Sequence, residues 1–290
     1  MAITASLVKE LRERTGAGMM ECKKALVESD GDIEAAAELM RKSGAAKADK
    51  KSGRVAADGA IKAFVTEDRN NAVILEINSE TDFVAKDDNF QSFADGVLQA
   101  IVQHKPSSVE ALASLSLADG QTIEEARQAL IGKVGENIQI RRFKIVESDQ
   151  GVSSYSHGSR IGVLVESSAS VEMARDIAMH IAAVNPQFID EQAVPAEFIE
   201  KEKEILIAQA QDSGKPAEII EKMIQGRLKK FLAEITLVDQ PFVKDPDQTV
   251  GQLLSSAGAS ISGFTRYEVG EGIEKKVEDF AAEVASQLNS

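Results

Sequence analysis

Four carboxylates stand close together in the stretch NSETDFVAKDDNF, at Glu80, Asp82, Asp87 and Asp88. Clustered carboxylates are the ligands that hard divalent cations prefer, and a pair of them can act as general acid and general base. The spacing matches no calcium-binding loop, and Asp87 or Asp88 can instead cap the helix predicted to follow. We therefore predict no metal site here. An acid- or metal-assisted hydrolase that depends on Asp82 or Asp88 is the alternative.

The other residues with reactive side chains are isolated from one another in the sequence. His104, His157 and His180 have no neighbouring ligand or nucleophile, and Cys22 is the only cysteine, which excludes an internal disulfide. The chain carries no phosphate-binding glycine loop, no zinc motif and no serine-hydrolase elbow. The sequence therefore predicts neither a catalytic centre nor a cofactor. His157, in SYSHGSR at a predicted hairpin turn, is the histidine best placed to meet a docking partner.

Phe83 is an aromatic residue in the middle of the acidic stretch. It follows the apolar run AVILEIN, which predicts a buried strand, and it precedes a run with helical spacing that begins near Phe90. Leaving an aromatic ring in water forgoes about 1.5 to 3 kcal/mol, so such a residue is either tucked into the core or used as an anchor in a partner. From the residues alone, both alternatives stay open.

Composition and charge limit the class of protein. The chain has 290 residues, of which 43% are hydrophobic and 28% charged, and this size favours two or more domains. No apolar run approaches the ~20 residues that span a bilayer. The N-terminal stretch MAITASLVKELRERTG is charged and amphipathic and lacks a secretory signal pattern. These features predict a cytoplasmic protein without a membrane span.

The net charge of −14 disfavours binding to a phosphate backbone, so we predict no direct contact with nucleic acid. One basic cluster stands out in residues 43–59, SGAAKADKKSGRVAADG, with cations at Lys47, Lys50, Lys51 and Arg54. This stretch lacks apolar periodicity, and we interpret it as a solvated linker. A nucleic-acid-binding or adaptor protein that uses this linker is the alternative function.

Glycine-punctuated helical patterns before this linker predict a compact three-helix domain in residues 1–54, including the basic linker. Thr4 can cap the first helix and Gly16 can close it, whereas Asp32 can cap the third. The second helix begins after the turn TGAGMM, which places Met19 and Met20 beside a flexible glycine. These methionines are either core filler or an adaptable docking tip.

A degenerate repeat of hairpin followed by helix is predicted beyond the linker. Residues 57–66 and 71–78 form the first hairpin, Thr122 and Glu125 offer a capping box, and IQIRRFKIV gives a further strand. GVSSYSHGSRIGVLVESS predicts the second hairpin, before a helix that Ser170 can cap. TDFVAK is then an insertion on this repeated scaffold. The predicted core subdomains are 55–147 and, for the second, 148–190 with 237–268.

Two further helical elements complete an α+β fold. Residues 191–236 predict an inserted antiparallel helical hairpin broken at SGKP, and residues 269–290 predict a C-terminal helical module with a continuous apolar stripe. The hairpin can pack on its own molecule, contact a partner or dimerise.

Two long stretches carry a family resemblance. LRERTGAGMMECKKAL, residues 11–26, and EINSETDFVAK, residues 76–86, resemble the signature stretches of the elongation factor Ts family. The likeness continues along essentially the whole chain, through VAADG, SYSHGSRIGVLV, SGKP, TVGQLL and GFTRYEVGEGIEK, and it is weakest across residues 104–121.

The resemblance implies a guanine-nucleotide exchange factor for the GTPase elongation factor Tu, and not an enzyme. It implies that the N-terminal domain is similar to ubiquitin-associated domains and docks on the nucleotide-binding domain of the GTPase through Arg12, Met19 and Met20. It implies that the second repeat presents His157 to the distal domain of the GTPase. A homodimer or heterotetramer through the helical hairpin is also compatible with the family.

The resemblance further implies a wedge that enters between helices of the GTPase and disturbs its Mg²⁺ site. The matching residues are Thr81, Asp82, Phe83 and Val84. This reading favours the anchor over the core alternative for Phe83.

Overall fold

The computed structural model describes residues 3–211 and 217–274, and the predicted α+β class is confirmed. Two compact units share the chain. Unit 1 comprises Met1–Lys62, Leu75–Lys144 and the segment from Glu268 onward, and unit 2 comprises Ala63–Ile74 and Ile145–Tyr267. Among the described helices, none has the length and apolar character needed to cross a membrane.

Three helices begin unit 1: α1 (Ala5–Thr15), α2 (Met19–Glu28) and α3 (Ile33–Lys51). Their predicted caps are confirmed, since the Thr4 side chain accepts from the Leu7 N–H, and Asp32 accepts from the Ala35 N–H. Gly16 ends α1 in the left-handed region with φ 66°, where glycine carries no steric penalty. The apolar faces meet in a small core of Val8, Leu11, Cys22, Ala25, Leu26 and Ala36, so Cys22 is a buried thiol.

Helix α3 corrects the prediction of a solvated linker over residues 43–59. The helix continues to Lys51, and Gly44 and Ala48 are buried on it. Alanine and lysine favour helix, and the missing side chain of Gly44 permits close packing on α7 (Ile123–Val134). A Cβ added at Gly132 of α7 would lie 3.5 Å from the Gly44 Cα. The basic segment to Lys51 is therefore a packed helix and not a linker.

The first sheet has the order β1 (Asp58–Val65), β2 (Asn71–Ser79), β3 (Gln139–Glu147). The central position of β2 explains why nearly all its residues are buried. Four helices lie between β2 and β3 in the chain: α4 (Asp82–Ala85), α5 (Asp88–His104), α6 (Val109–Ala113) and α7. The predicted apolar face of α5 is confirmed, because Phe90, Phe93, Val97, Leu98 and Ile101 are all buried. Thr122 and Glu125 form the predicted capping box of α7.

The second sheet has the order β4 (Val152–His157), β5 (Ile161–Ser167), β8 (Ile261–Glu268). β4 and β5 form an antiparallel hairpin in which His157 lies opposite Ile161. Helix α8 (Val171–Val184), capped by Ser170 as predicted, packs on this hairpin. In both sheets the third strand pairs with the second strand of the hairpin. At least one helix lies between these two strands in the sequence.

Between α8 and β8 the chain forms α9 (Ala196–Gln211), α10 (Ala217–Ile235), β6 (Pro241–Phe242), β7 (Asp245–Thr249) and α11 (Val250–Ser256). Helices α9 and α10 pack on each other, with Leu206 near Ile224 and Ile199 near Leu232, which is the pattern of an antiparallel pair. Most of the C-terminal helical module predicted for residues 269–290 lies outside the described residues; its described part, residues 269–274, forms turns and no helix.

Candidate partner-binding site

The TDFV segment (Thr81–Val84) forms one turn of helix that projects an apolar ring. The Thr81 hydroxyl oxygen accepts from the Val84 N–H at 3.4 Å and caps α4, and Asp82 pairs with Lys86 at 2.6 Å. The Phe83 side chain is 82% exposed, whereas Phe90, one helix later, is fully buried. Phe83 is therefore not part of the core of the described chain, and this removes one of the two alternatives that the sequence left open.

Local sequence explains why the chain turns sharply on both sides of α4. The Ser79 hydroxyl donates to the Thr81 carbonyl at 2.9 Å where the chain leaves β2. At the other end of α4, Ala85 is buried. Asp87 then caps α5 by accepting from the Asn89 N–H at 2.9 Å. Hydrogen bonding from the Asn89 side chain holds the pKa of the Asp87 carboxyl below its usual value. The segment is thus fixed between the end of β2 and a capped helix.

A second chain segment, the GEN loop (Gly135–Asn137), supports the TDFV segment from the side. The Glu136 carboxylate accepts from the Thr81 N–H at 3.0 Å and from the Thr81 hydroxyl at 2.7 Å. The Asn137 N–H donates in turn to the Glu80 carboxylate at 2.6 Å. Two successive residues of one segment therefore bind two successive residues of the other. Glu136 and Asn137 could not be found from the sequence, because no spacing relates them to partners that lie 55 to 57 positions earlier.

The GEN loop also holds the end of α3. The Asn137 side-chain amide donates to the Arg54 carbonyl at 2.8 Å and to the Ser52 carbonyl at 3.3 Å. The Lys51 ammonium donates to the Gly135 carbonyl. One loop therefore fastens both the three-helix region and the base of the TDFV segment within unit 1.

The predicted N-terminal contact residues lie at the turn between α1 and α2. Arg12 is exposed in the last turn of α1, and Met19 and Met20 begin α2 with exposures of 60% and 76%. The core of the three helices does not include either methionine. These three side chains form an exposed tip with two flexible apolar groups and one cation.

His157 is exposed at the end of β4 in unit 2. Its Nδ1 lies 3.3 Å from the Tyr155 hydroxyl, and Tyr155 packs against the core of that unit. The Tyr155 hydroxyl thus holds the imidazole in place, while the His157 side chain stays exposed to solvent. Thr81, Asp82, Phe83, Val84, Arg12, Met19 and Met20 belong to unit 1.

His180, which is isolated in the sequence from other reactive side chains, is fully buried on α8. Its Nδ1 accepts from the Val243 N–H at 3.2 Å, and its Nε2 lies 2.9 Å from the Gln240 side-chain oxygen. Nδ1 therefore carries no proton, and the ring is the neutral Nε2–H tautomer. Burial lowers the pKa of His180, and the bond to Gln240 only partly opposes it. His180 ties α8 to the β6–β7 hairpin.

Three of the four carboxylates in residues 80–88 are engaged separately from one another. Glu80 accepts from Asn137 and lies 3.5 Å from Arg54, Asp82 pairs with Lys86, and Asp87 caps α5. Over the ranges that the structure describes, no group of three or more His, Cys, Asp or Glu residues is arranged to hold a metal ion.

A charged cluster that the sequence did not reveal lies on the first sheet, next to the TDFV segment in sequence. Glu76 of β2 is fully buried, and its carboxylate accepts from Arg142 at 2.6 Å, from Arg141 at 3.0 Å and from the Gly270 N–H at 2.8 Å. Burial alone would raise the pKa of Glu76, but the Gly270, Arg142, Arg141 and Asn78 donors outweigh it and the pKa lies below its usual value. Glu76 is therefore a buried anion that joins β2, β3 and the chain at Gly270.

Exposed apolar side chains such as Met19, Met20 and Phe83 often mark surfaces that bind another macromolecule. Comparison with known proteins specifies the class further. The family model for elongation factor TS matches residues 80–271. Elongation factor Ts of Thioalkalivibrio sulfidiphilus is 61% identical over 99% of both chains, and that of Alkalilimnicola ehrlichii is 62% identical over 99% of both. Elongation factor Ts of Methylococcus capsulatus is 60% identical over both full lengths.

The chain is therefore a translation elongation factor. It belongs to the elongation factor Ts family.

Proposed function

We propose that this protein is a guanine-nucleotide exchange factor. It binds elongation factor Tu in the GDP-bound form, displaces Mg²⁺ through the TDFV segment, and promotes GDP release so that GTP can bind. The protein makes and breaks no covalent bond in this role and needs no cofactor of its own. It acts in the cytoplasm, where its partner works.

The observation that supports this proposal most directly is the exposure of Phe83 on an anchored turn. An aromatic ring that is 82% exposed leaves most of its apolar surface in water. Burying that surface in a partner recovers about 1.5 to 3 kcal/mol, and aromatic residues are frequent anchors at interfaces. Because α4 is tied down at both ends, little conformational freedom is lost when the ring docks.

Exchange follows from the reciprocity of binding free energies. If the protein binds nucleotide-free elongation factor Tu more tightly than the GDP-bound form, it must weaken GDP binding by the same factor. Each tenfold weakening requires about 1.4 kcal/mol of differential binding. An aromatic group that enters only the distorted partner can supply such a difference, because it contributes little to the complex with the undistorted partner.

The Mg²⁺ ion links the distortion to release of the nucleotide. The ion neutralises the phosphate oxygens of GDP, so its loss weakens nucleotide binding without any contact between the wedge and GDP. We assign the displacement to Thr81, Asp82, Phe83 and Val84 acting as one unit. Phe83 supplies the buried surface, and Asp82 is placed beside it as a polar contact.

The exposed tip at Arg12, Met19 and Met20 and the exposed His157 are proposed as further contacts with the same partner. Methionine side chains are flexible and polarisable, which suits an adaptable contact, and Arg12 can pair with an acidic residue. These contacts increase the affinity for all forms of the GTPase. The acceleration of release is assigned to the TDFV segment.

The alternative, nucleic-acid binding through the basic segment, is less well supported. Lys47 pairs with Glu21 at 2.5 Å, and Lys51 is engaged with the Gly135 carbonyl. Arg54 lies 3.5 Å from Glu80, so three of its four cations are already engaged within the chain, which carries a net charge of −14.

The test measures release of a fluorescent GDP analogue from elongation factor Tu by stopped-flow. We expect a release rate that rises with the concentration of this protein and then saturates. In excess EDTA, where the ion is already gone, the acceleration should shrink, because the wedge then has no Mg²⁺ to displace. An unchanged release rate at saturating protein would overturn the proposal. An equal acceleration with and without Mg²⁺ would overturn the Mg²⁺ step alone.

A further inference from the structure

We propose that Glu136 is a positioning residue that holds the TDFV segment in the orientation needed for exchange. This inference rests on the proposed function for its effect on GDP release, although its structural part concerns the free protein. Glu136 lies outside the TDFV segment, on the GEN loop between α7 and β3.

Helix α4 is too short to hold itself in place. It has four residues, and an isolated turn of that length does not persist in water. Its direction, and hence the direction of Phe83, depends on what binds its ends. The C-terminal side continues into the capped helix α5, so the N-terminal side depends on the partners of Thr81.

Glu136 accepts hydrogen bonds from both donors of Thr81, the N–H and the hydroxyl. One carboxylate oxygen accepts from the N–H at 3.0 Å and the other accepts from the hydroxyl at 2.7 Å. Bonds to an ionised carboxylate are stronger than neutral ones, and two of them fix an orientation as well as a distance. Thr81 cannot rotate about χ1 without breaking one of these bonds.

The same contact sets the cap of α4. Because the Thr81 hydroxyl hydrogen points to Glu136, the oxygen presents its lone pairs elsewhere, and it accepts from the Val84 N–H at 3.4 Å. The hydrogen bonds therefore run in series from Val84 through Thr81 to Glu136. Without Glu136 the hydroxyl hydrogen has no fixed direction, and the cap loses its orientation.

The hydrogen bond between Asn137 and Glu80 keeps the GEN loop, and with it Glu136, in a fixed position. Asn137 is fully buried and its N–H donates to Glu80 at 2.6 Å, so the GEN loop is already fixed beside the end of β2. Glu136 itself is only half-buried. Truncating it leaves no core cavity, and its loss should release the TDFV segment without unfolding unit 1.

The chain offers a matched control in Glu125. Its carboxylate also accepts from the N–H and hydroxyl of a capping threonine, Thr122, at 3.1 Å in both cases. That capping box begins α7 and does not contact the TDFV segment. Glu125→Ala therefore removes the same charge and the same type of bonds at a different helix, together with an ion pair between Glu125 and Arg41 at 2.7 Å.

The first experiment uses the free full-length protein and amide hydrogen exchange followed by NMR. In Glu136→Ala we expect the Thr81 and Val84 amides to exchange about tenfold faster or more, while core amides of β2 keep their rates. In Glu125→Ala these two amides should be unchanged. Unchanged protection of Thr81 and Val84 in Glu136→Ala would overturn the inference, whether or not the protein acts on a GTPase.

The second experiment is a double-mutant cycle on GDP release from elongation factor Tu, with Glu136→Ala, Phe83→Ala and the double variant. Glu136→Ala alone should slow the accelerated release about tenfold, and Glu136→Gln, which keeps one acceptor oxygen, should slow it less. In the Phe83→Ala background, loss of Glu136 should have less than about a twofold effect, because the residue acts through the ring it positions.

The outcomes separate this inference from the proposed function. Equal effects of Glu136→Ala with and without Phe83 would overturn the positioning role. If the wild-type protein fails to accelerate release at all, the proposed function fails, and the hydrogen-exchange result still decides whether Glu136 holds the segment.

Discussion

Replacing Phe83 by alanine tests whether this ring serves the partner or the fold. The side chain is 82% exposed, so about a fifth of its surface is buried in the free protein. A fifth of the ~3 kcal/mol for full burial gives about 0.5 kcal/mol of lost stability. Phe90, fully buried on α5, gives the contrast, because Phe90→Ala should lose ~3 to 5 kcal/mol.

The effect on GDP release should run in the opposite order. An aromatic anchor removed from an interface typically costs ~2 kcal/mol or more, which corresponds to about a 30-fold slower accelerated release. Phe90→Ala leaves the TDFV segment unchanged in sequence, so its folded fraction should accelerate GDP release from elongation factor Tu to close to the wild-type rate. Asp82→Ala should have a milder effect than Phe83→Ala, as a polar contact at the rim.

Urea unfolding gives the stability change, and stopped-flow release of fluorescent GDP gives the functional change, both on the same preparations. Release rates are expressed per folded molecule at the measured folded fraction. A Phe83→Ala protein that loses several kcal/mol of stability but exchanges normally would refute the assignment of this ring to the partner.

Three further predictions concern the described structure. Glu76→Gln should lose ~2 to 4 kcal/mol in urea unfolding, because it leaves Arg141 and Arg142 without their buried anion. The pKa of Glu76 is lowered in the folded state, so its contribution to folding stability is complete above the unfolded pKa of about 4.3 and is lost as the pH falls through the folded pKa. The decrease of stability with acid should therefore be shallower in Glu76→Gln than in the wild type. His180 has a lowered folded pKa as well, so its contribution to stability is complete above the unfolded pKa of about 6.5 and decreases at lower pH. His180→Gln should therefore flatten the stability profile below about pH 6.5, and an unchanged profile would contradict the buried neutral ring. Replacing residues 196–231 with a short glycine-serine turn should leave the accelerated GDP release within about twofold of that of the full chain, because α9 and α10 pack mainly on each other. Gel filtration of this variant should show the loss of any dimer that the full chain forms. A folded variant that no longer accelerates GDP release would contradict this prediction.

The elements that the sequence predicted are those governed by local chemistry. Thr4, Asp32 and Ser170 cap helices because a short polar side chain reaches back to the nearby backbone, and this signal lies within four residues. The alternating and apolar runs of the two hairpins were equally readable. The position of Phe83 outside both periodic patterns was also a local observation, although only the structure decides that it is exposed.

The features that the sequence missed depend on contacts between distant residues. Gly44 looked like the beginning of a linker, but its lack of a side chain allows α3 to pack closely on Gly132, 88 residues later. Glu76 was hidden in an apolar run because its buried charge is compensated by β3 and Gly270. Glu136 meets Thr81 across 55 residues. None of these contacts leaves a local pattern.

The order of the strands in the second sheet affects how the protein forms during its own synthesis. β8 completes that sheet, and the Ser168 N–H donates to the Ser260 carbonyl across 92 residues of chain. On the ribosome, β4, β5 and α8 emerge long before β8, and the edge of β5 must wait unpaired while α9 and α10 are made. A chain interrupted before residue 261 would carry an open strand edge, so this growing polypeptide is most vulnerable to mispairing late in its own translation.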